Sequence, residues 1–147
     1  LLERNENFIR QAGARALAVW CTPENVPALV RALDDNFFPV PWAALEGLGR
    51  LRDERAIEPI VSLLKAKKHR SQAVQALSAF VESAEHAALE LLAAPDSDMR
   101  FDACQVLKAI GGLNSVDSLA IVARDDENGI VRLVAGQAVK EIRRRNQ

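Results

Sequence analysis

The sequence predicts an all-α solenoid, in which short pairs of antiparallel helices stack side by side along one direction. A ten-residue pattern recurs at spacings of 31, 29, 30 and 32 residues, and its five copies begin at Ile9, Val40, His69, Met99 and Val131. Repeats of about 20 to 50 residues are typical of solenoids and related arrays. In each copy the apolar residues also fall within one face of a helix. Periodicity and amphipathicity therefore predict the same fold class.

The first helix of each repeat has small residues where a neighbouring helix would pack. In the second copy the fifth and eighth positions are Ala44 and Gly47, and the ninth is Leu48. Small side chains let two helices approach closely, while the leucine fills the space between them. We therefore expect this face to be buried between repeats.

A second amphipathic run follows each of the first four patterns, at residues 26–33, 57–64, 87–92 and 116–122. Asp96 and Asn128 are suitable N-cap residues, Pro23 precedes a second helix, and Gly111 follows a first helix. These signals predict nine helices, with breaks near residues 22, 36, 52, 68, 83, 97, 112 and 127.

Arginine recurs at the second position of the pattern, as in Arg70 and Arg100. A guanidinium there is expected to reach an aspartate of the preceding turn, such as Asp98 or Asp126, and to tie one repeat to the next.

Composition excludes several classes of protein. The formal net charge is -1 with 27% charged residues, which disfavours a general nucleic-acid binder. The sequence shows no apolar run long enough to span a membrane and no signal-peptide pattern. Cys21 and Cys104 lie within helical patterns and indicate buried thiols in a reducing compartment. We expect one cytoplasmic repeat domain over residues 1–147, and the missing initial Met indicates a processed protein or a piece of a longer chain.

The repeat resembles a known family. An apolar residue followed by Arg, an Ala three residues later and a Leu at the ninth position, as in residues 99–107, precedes the apolar run 116–122. This combination resembles the short HEAT-like repeats, including those of phycobilisome lyases, and the resemblance extends from about residue 9 to residue 142. It implies a right-handed superhelix of HEAT/armadillo-like helix pairs, with the second helices on the concave side. The family includes scaffolds, adaptors and a few enzymes.

The sequence lacks the common signatures of catalysis. It contains no Cys-x-x-Cys, glycine-rich phosphate loop or Gly-x-Ser-x-Gly. The iron hydroxylases of similar fold use His-Glu pairs, whereas His69 and His86 are followed by Arg and Ala. Glu85, His86 and Glu90 share one helix, but three loosely spaced ligands are more typical of a solvated face than of a metal site. We predict no enzyme, no cofactor and no metal.

One candidate binding surface is the outward face of the second helices. Its two columns contain three acids and one base, which suits a basic or mixed peptide. The columns are Pro27, Glu58, His86 and Asp117, and Arg31, Ser62, Glu90 and Ile121.

The other candidate is an aromatic cluster at residues 37–42, which contains three of the seven aromatic residues of the chain. Phe37 or Phe38 can pack back as a hydrophobic staple, with Trp42 covering the neighbouring turn. Alternatively, Trp42 and its equivalents Phe101 and Leu133 form an exposed apolar row that contacts a partner. Both interpretations remain open from the sequence.

The sequence favours a non-catalytic protein-interaction or scaffolding module, with a protein or peptide partner and no membrane. Resemblance to the lyase-type repeats raises an accessory role in bilin attachment as the alternative. Basic clusters at residues 65–70 and 143–145 raise nucleic-acid binding, which the overall charge disfavours.

Overall fold

A computed structural model describes the backbone of residues 2–147, and their side chains except those of residues 2–5 and 82. Within that part of the chain there are nine α-helices and no strands, which confirms the predicted all-α repeat fold. The helices are α1 (Leu2–Val19), α2 (Val26–Ala32), α3 (Pro39–Leu51), α4 (Ile57–Lys65), α5 (Arg70–Leu77), α6 (Glu85–Leu91), α7 (Ser97–Ile110), α8 (Val116–Asp125) and α9 (Gly129–Arg145). Every predicted break lies within one residue of an observed one.

The helices form two layers. The odd-numbered helices are the first helices of the repeats, and each packs against the next, from α1 with α3 to α7 with α9. The even-numbered second helices pack against the first helix that follows them, as α2 does with α3 and α8 with α9. Each repeat therefore buries its apolar faces against its neighbour, as expected for a solenoid.

The predicted apolar face forms the core from α3 onward. Ala44 and Leu48 of α3 are fully buried, as is Leu107 of α7. They belong to one continuous cluster of buried residues that extends from α2 to α9.

Helix α1 departs from the predicted register. Its buried residues are Ala14 and Ala18, whereas Ile9 and Gly13 are exposed. The pattern in α1 therefore begins one residue later than predicted. The cause is the approach of α1 to α3, since a Cβ on Gly47 would lie only 2.9 Å from Cα of Ala18.

The capping signals act as the sequence predicts. The carboxylate of Asp96 accepts a hydrogen bond from the Asp98 amide at 2.8 Å at the start of α7. The side chain of Asn128 accepts one from the Ile130 amide at 2.9 Å at the start of α9. Each bond satisfies a backbone donor that the helix itself leaves free.

Arginine contacts tie the repeats together as predicted, but their predicted direction was wrong, because Arg70 and Arg100 reach aspartates of the following repeat rather than of the preceding turn. Nε of Arg70 lies 2.7 Å from Asp102, and Nε of Arg100 lies 2.7 Å from Asp126, both in the following repeat. A second hydrogen bond of 3.0 Å from Arg100 makes its contact with Asp126 bidentate. The Arg100 guanidinium lowers the pKa of the Asp126 carboxyl.

The two cysteines occupy different environments. Cys104 is fully buried, and burial raises the pKa of its thiol to about 12. Cys21 is half-buried, with Sγ 3.7 Å from the Gly47 carbonyl oxygen. The Cys104 thiol is therefore protonated at neutral pH and is a poor nucleophile.

No helix in the described residues 2–147 has the length and apolar character needed to cross a bilayer.

Candidate functional site

The outward columns of the second helices are exposed, as the sequence predicts. All eight of their side chains face solvent along α2, α4, α6 and α8, namely Pro27, Glu58, His86, Asp117, Arg31, Ser62, Glu90 and Ile121. The acidic residues make only surface contacts. Glu58 lies 3.3 Å from Nζ of Lys65, and Glu90 lies 3.2 Å from Nε2 of His86. Exposed pairs of this kind are weak, so the carboxylates can exchange them for a partner.

The three potential metal ligands on α6 do not converge. The carboxylate of Glu85 accepts a hydrogen bond from the Gly112 amide at 2.9 Å and another from the Ser115 hydroxyl. These hydrogen bonds hold the Glu85 carboxylate against the turn before α8, while His86 contacts Glu90. Among the described side chains no group of three or more potential ligands is placed to hold a metal ion.

Both basic clusters are largely engaged within the fold. In the first, Lys67 pairs with Asp96, and Arg70 lies 2.7 Å from Asp98. In the second, Nη2 of Arg145 donates to the Gly111 carbonyl at 2.9 Å, beside the C-terminal end of α7. Cations are favoured there by the helix dipole. These contacts leave less positive charge available for phosphate than the sequence alone indicates.

The aromatic cluster divides into a packed residue and an exposed pair. Phe37 packs against Ala14, Val40 and Ala43, which matches the staple interpretation. The side chains of Phe38 and Trp42 remain 56% and 44% exposed, and their ring centroids lie 5.3 Å apart in an edge-to-face arrangement. The staple interpretation therefore describes Phe37, while contact of the exposed pair with a partner stays a prediction.

The indole of Trp42 also reaches the next repeat. Its Nε1 donates a hydrogen bond to Nδ1 of His69 at 3.3 Å, just before α5 begins. This contact fixes the ring at the junction of α3 and α5 while much of the ring stays uncovered.

The predicted exposed apolar row is only partly correct. Leu133 is 62% exposed, but Phe101 is half-buried and packs against the main core. Position in the repeat does not determine exposure here, because α7 is covered by neighbours on both sides.

A groove of about 700 Å³ crosses the exposed surfaces of α1, α3 and α5. Trp42 lines it, together with apolar residues of α3 and α5. Its charged lining consists of Arg15, Arg50, Arg52 and Glu46. Nη2 of Arg50 lies 2.5 Å from Oε1 of Glu46, within the groove. The groove is therefore an apolar surface with basic edges, beside the Phe38–Trp42 pair.

Comparison with protein families supports the same architecture. A family model described as HEAT repeats matches residues 1–78 and, in a second match, residues 57–140. The chain belongs to the HEAT repeat family. HEAT repeats generally mediate protein–protein interaction or scaffolding, and the family is generally non-enzymatic. A search of curated proteins found no match.

Sequence reasoning missed the arginines of this HEAT repeat groove. Arg15 lies on α1, whereas Arg50 and Arg52 lie at the end of α3, more than 30 residues later in the sequence. Only the packing of α1 against α3 brings them to one groove. The one signal available was that Arg15 and Glu46 occupy equivalent positions of the repeat at a shift of 31 residues.

Proposed function

We propose that this HEAT repeat chain is a non-catalytic protein-interaction or scaffolding module that acts as one domain over residues 1–147. The exposed Phe38–Trp42 pair beside the groove carries the proposal. Neighbouring exposed aromatic rings usually mark a contact surface, and tryptophan is enriched among residues that dominate binding energy. The ring pair is held in place by Trp42 bonding to His69, so binding would order few further groups.

The exposed columns of the second helices are proposed as a second contact surface. Glu58, Glu90 and Asp117 suit a basic or mixed peptide. Reversing all three to Lys should leave the fold intact and weaken binding of a lysine-rich probe peptide. Wild-type affinity should fall as salt rises, since the pairing is between exposed charges. Unchanged binding of that peptide by the triple variant would remove this surface from the proposal.

Cytoplasmic location is part of the proposal, supported by Cys21 and Cys104, which are both free thiols, as is usual in a reducing compartment. The alternatives raised by the sequence make separate predictions. A lyase-type role predicts that added bilin is bound with a change in visible absorbance. Nucleic-acid binding predicts salt-dependent affinity for an oligonucleotide.

A pull-down tests the proposed function. The wild-type chain and a Phe38→Ser/Trp42→Ser variant are compared for the proteins they retain from an extract of the source cell, identified by mass spectrometry. We expect a set of proteins that the double variant loses while its melting temperature changes little. Leu113→Ser is the control, because Leu113 is a large apolar residue at least as exposed as Phe38 and Trp42 but lies before α8, in another repeat. Equal retention by all three proteins would refute the aromatic contact surface, and a large loss of melting temperature would assign the pair to internal packing.

A further inference from the structure

We infer that the groove across α1, α3 and α5 binds an acidic peptide segment that places an apolar side chain against Phe38 and Trp42. The inference rests on the proposed function and deepens it by naming the chemistry of the partner. It also concerns a surface of the opposite charge to the acidic columns on the second helices.

Charge supplies the first argument. The groove has three arginines and one glutamate in its lining, although the whole chain carries a net charge of -1. The Arg50 guanidinium already has partners within the chain, because it donates hydrogen bonds to the Glu46 carboxylate at 2.5 Å and to the Ala18 carbonyl at 3.5 Å. Arg15 and Arg52 are exposed, and neither forms an ion pair with a carboxylate among the described side chains. These two guanidinium groups are therefore free to donate hydrogen bonds to a partner's carboxylates.

The position of Arg52 supports this assignment. Arg52 caps the C-terminal end of α3 in the left-handed conformation, with φ of 53°. Helices usually use glycine or asparagine for this conformation, because larger side chains are disfavoured in it. At this helix end the chain has a long cationic side chain beside the groove instead.

Shape supplies the second argument. The groove volume of about 700 Å³ lies within the range of sites that hold a ligand of modest size. Its lining includes the small residues Gly49 and Ala76, and a Cβ on Gly49 would lie 3.4 Å from Cα of Ala76. Gln72 and Gln75 also line the groove, and their amides can donate to and accept from a peptide backbone. The groove therefore fits a short peptide segment with an apolar side chain at the aromatic end.

A nucleic acid fits the groove less well. Glu46 lies among the arginines and would repel a phosphate backbone, whose binding depends on several cations acting together. Single strands are normally bound by a series of aromatic rings that stack on successive bases, whereas Trp42 is the one aromatic residue in the described lining. A peptide can place carboxylates near Arg15 and Arg52 and avoid Glu46.

Tryptophan fluorescence offers a direct test. The chain has two tryptophans, and Trp20 is 78% exposed and does not line the groove, so Trp20→Phe leaves Trp42 as the only reporter. The probe is a short synthetic peptide in which aspartates flank central leucines. We expect the peptide to shift the Trp42 emission, with an affinity that falls as salt rises.

Arginine variants in the Trp20→Phe background locate the charges. Arg15→Gln combined with Arg52→Asn removes two charges, and asparagine tolerates the left-handed conformation at residue 52. This variant should bind the peptide about tenfold more weakly. The matched control is Arg124→Gln with Arg143→Gln, which removes the same charge from exposed arginines of α8 and α9 that lie outside both proposed contact surfaces. Its affinity should remain that of the parent.

Three results would overturn the inference. They are equal binding of a peptide with asparagine in place of aspartate, equal weakening by both arginine pairs, and tighter binding of a single-stranded oligonucleotide of the same charge. If the pull-down identifies partners that depend on the aromatic pair but the acidic peptide does not bind, the inference fails and the proposed function stands. If the peptide binds with the expected dependence on Arg15 and Arg52 but the pull-down shows equal retention by all three proteins, the groove binds acidic peptides and the aromatic contact surface of the proposed function is refuted.

Discussion

At the scale of single residues, the presence or absence of one methyl group decides how closely the first helices pack. A Cβ on Gly47 would lie 2.9 Å from Cα of Ala18 and 3.2 Å from Cδ1 of Leu29. The backbone of α1 cannot easily move away, because Ala18 is itself buried. A Cβ on Gly49, two residues further on the same helix, would be no closer than 3.4 Å to Ala76.

The two glycines of α3 therefore predict opposite effects of alanine. Gly47→Ala should lower the free energy of unfolding by about 1 to 3 kcal/mol, as overpacking does. Gly49→Ala meets ordinary contacts and should raise it by up to about 1 kcal/mol, because alanine favours a helix over glycine. Urea denaturation of both variants measures the difference. Equal changes for the two would show that α1 and α3 are further apart than described.

Charge pairs between repeats predict a dependence of stability on pH. The side chains of Asp126 and Arg100 are 4% and 10% exposed, and Arg100 lowers the pKa of Asp126 from 3.8. A lowered pKa contributes stability above the unfolded value and loses it as pH falls through the folded value. Asp126→Asn should cost about 3 kcal/mol at pH 7, and the cost should shrink below about pH 4.

Asp125→Asn is the matched control for that measurement. Asp125 pairs with Arg124 at 2.6 Å on an exposed surface, where solvent screens the pair. Its substitution should change stability little at either pH. A loss for Asp126→Asn that stays constant from pH 7 to pH 3 would indicate lost packing rather than lost charge.

At the scale of the elements, the turns contain strain that the helices do not. Val81 follows α5 with φ of 52° and is exposed. A β-branched residue is an outlier in this conformation, whereas asparagine adopts it readily. The strain at residue 81 is therefore local and can be removed without disturbing the core.

Val81→Asn should raise the free energy of unfolding by about 1 kcal/mol, the order of the left-handed penalty. Thermal and urea denaturation both report this change. Val19→Asn is the control, because Val19 is also exposed but lies at the end of α1. The control should not gain stability, so a similar gain at both sites would mean that removing exposed apolar surface, rather than backbone strain, is responsible.

The sequence predicts the elements well because their signals are local. The apolar period and cap residues such as Asp96 and Asn128 act within a few positions of the helix they define. The predicted register of α1 was wrong, because the register depends on how closely Ala18 packs against Gly47 in the next repeat. A single-sequence pattern does not contain that distance.

At the scale of the whole molecule, one candidate site could be predicted from the local sequence pattern and the other could not. The exposure of the second-helix columns follows from the helix period and was predicted correctly, as with Glu58. The basic groove was not predicted, because Arg15 joins Arg52 only through the packing of α1 against α3. Sites that lie along one kind of helix are visible in the repeat, whereas sites that cross helices require the fold.

Apolar packing is unequal along the solenoid, and this predicts a gradient of local stability. The buried residues described in α1 are Ala14 and Ala18, while the larger Phe8 and Ile9 are exposed. Helix α7, by contrast, buries Leu107 among several other residues and packs between α5 and α9. Stability in a solenoid is approximately a sum of repeat and interface contributions, so a weak interface opens locally.

Backbone amides of α1 should therefore exchange with deuterium at least about tenfold faster than those of α7, the ratio that about 1.4 kcal/mol of opening free energy produces. Hydrogen exchange followed by mass spectrometry of peptides from each helix measures this directly. Gly47→Ala should widen the difference, because it loosens the contact of α1 with α3 and leaves α7 untouched. Equal protection of α1 and α7 would mean that the repeats unfold as one cooperative unit, and that the small buried side chains of α1 pack as effectively as the leucines of later repeats.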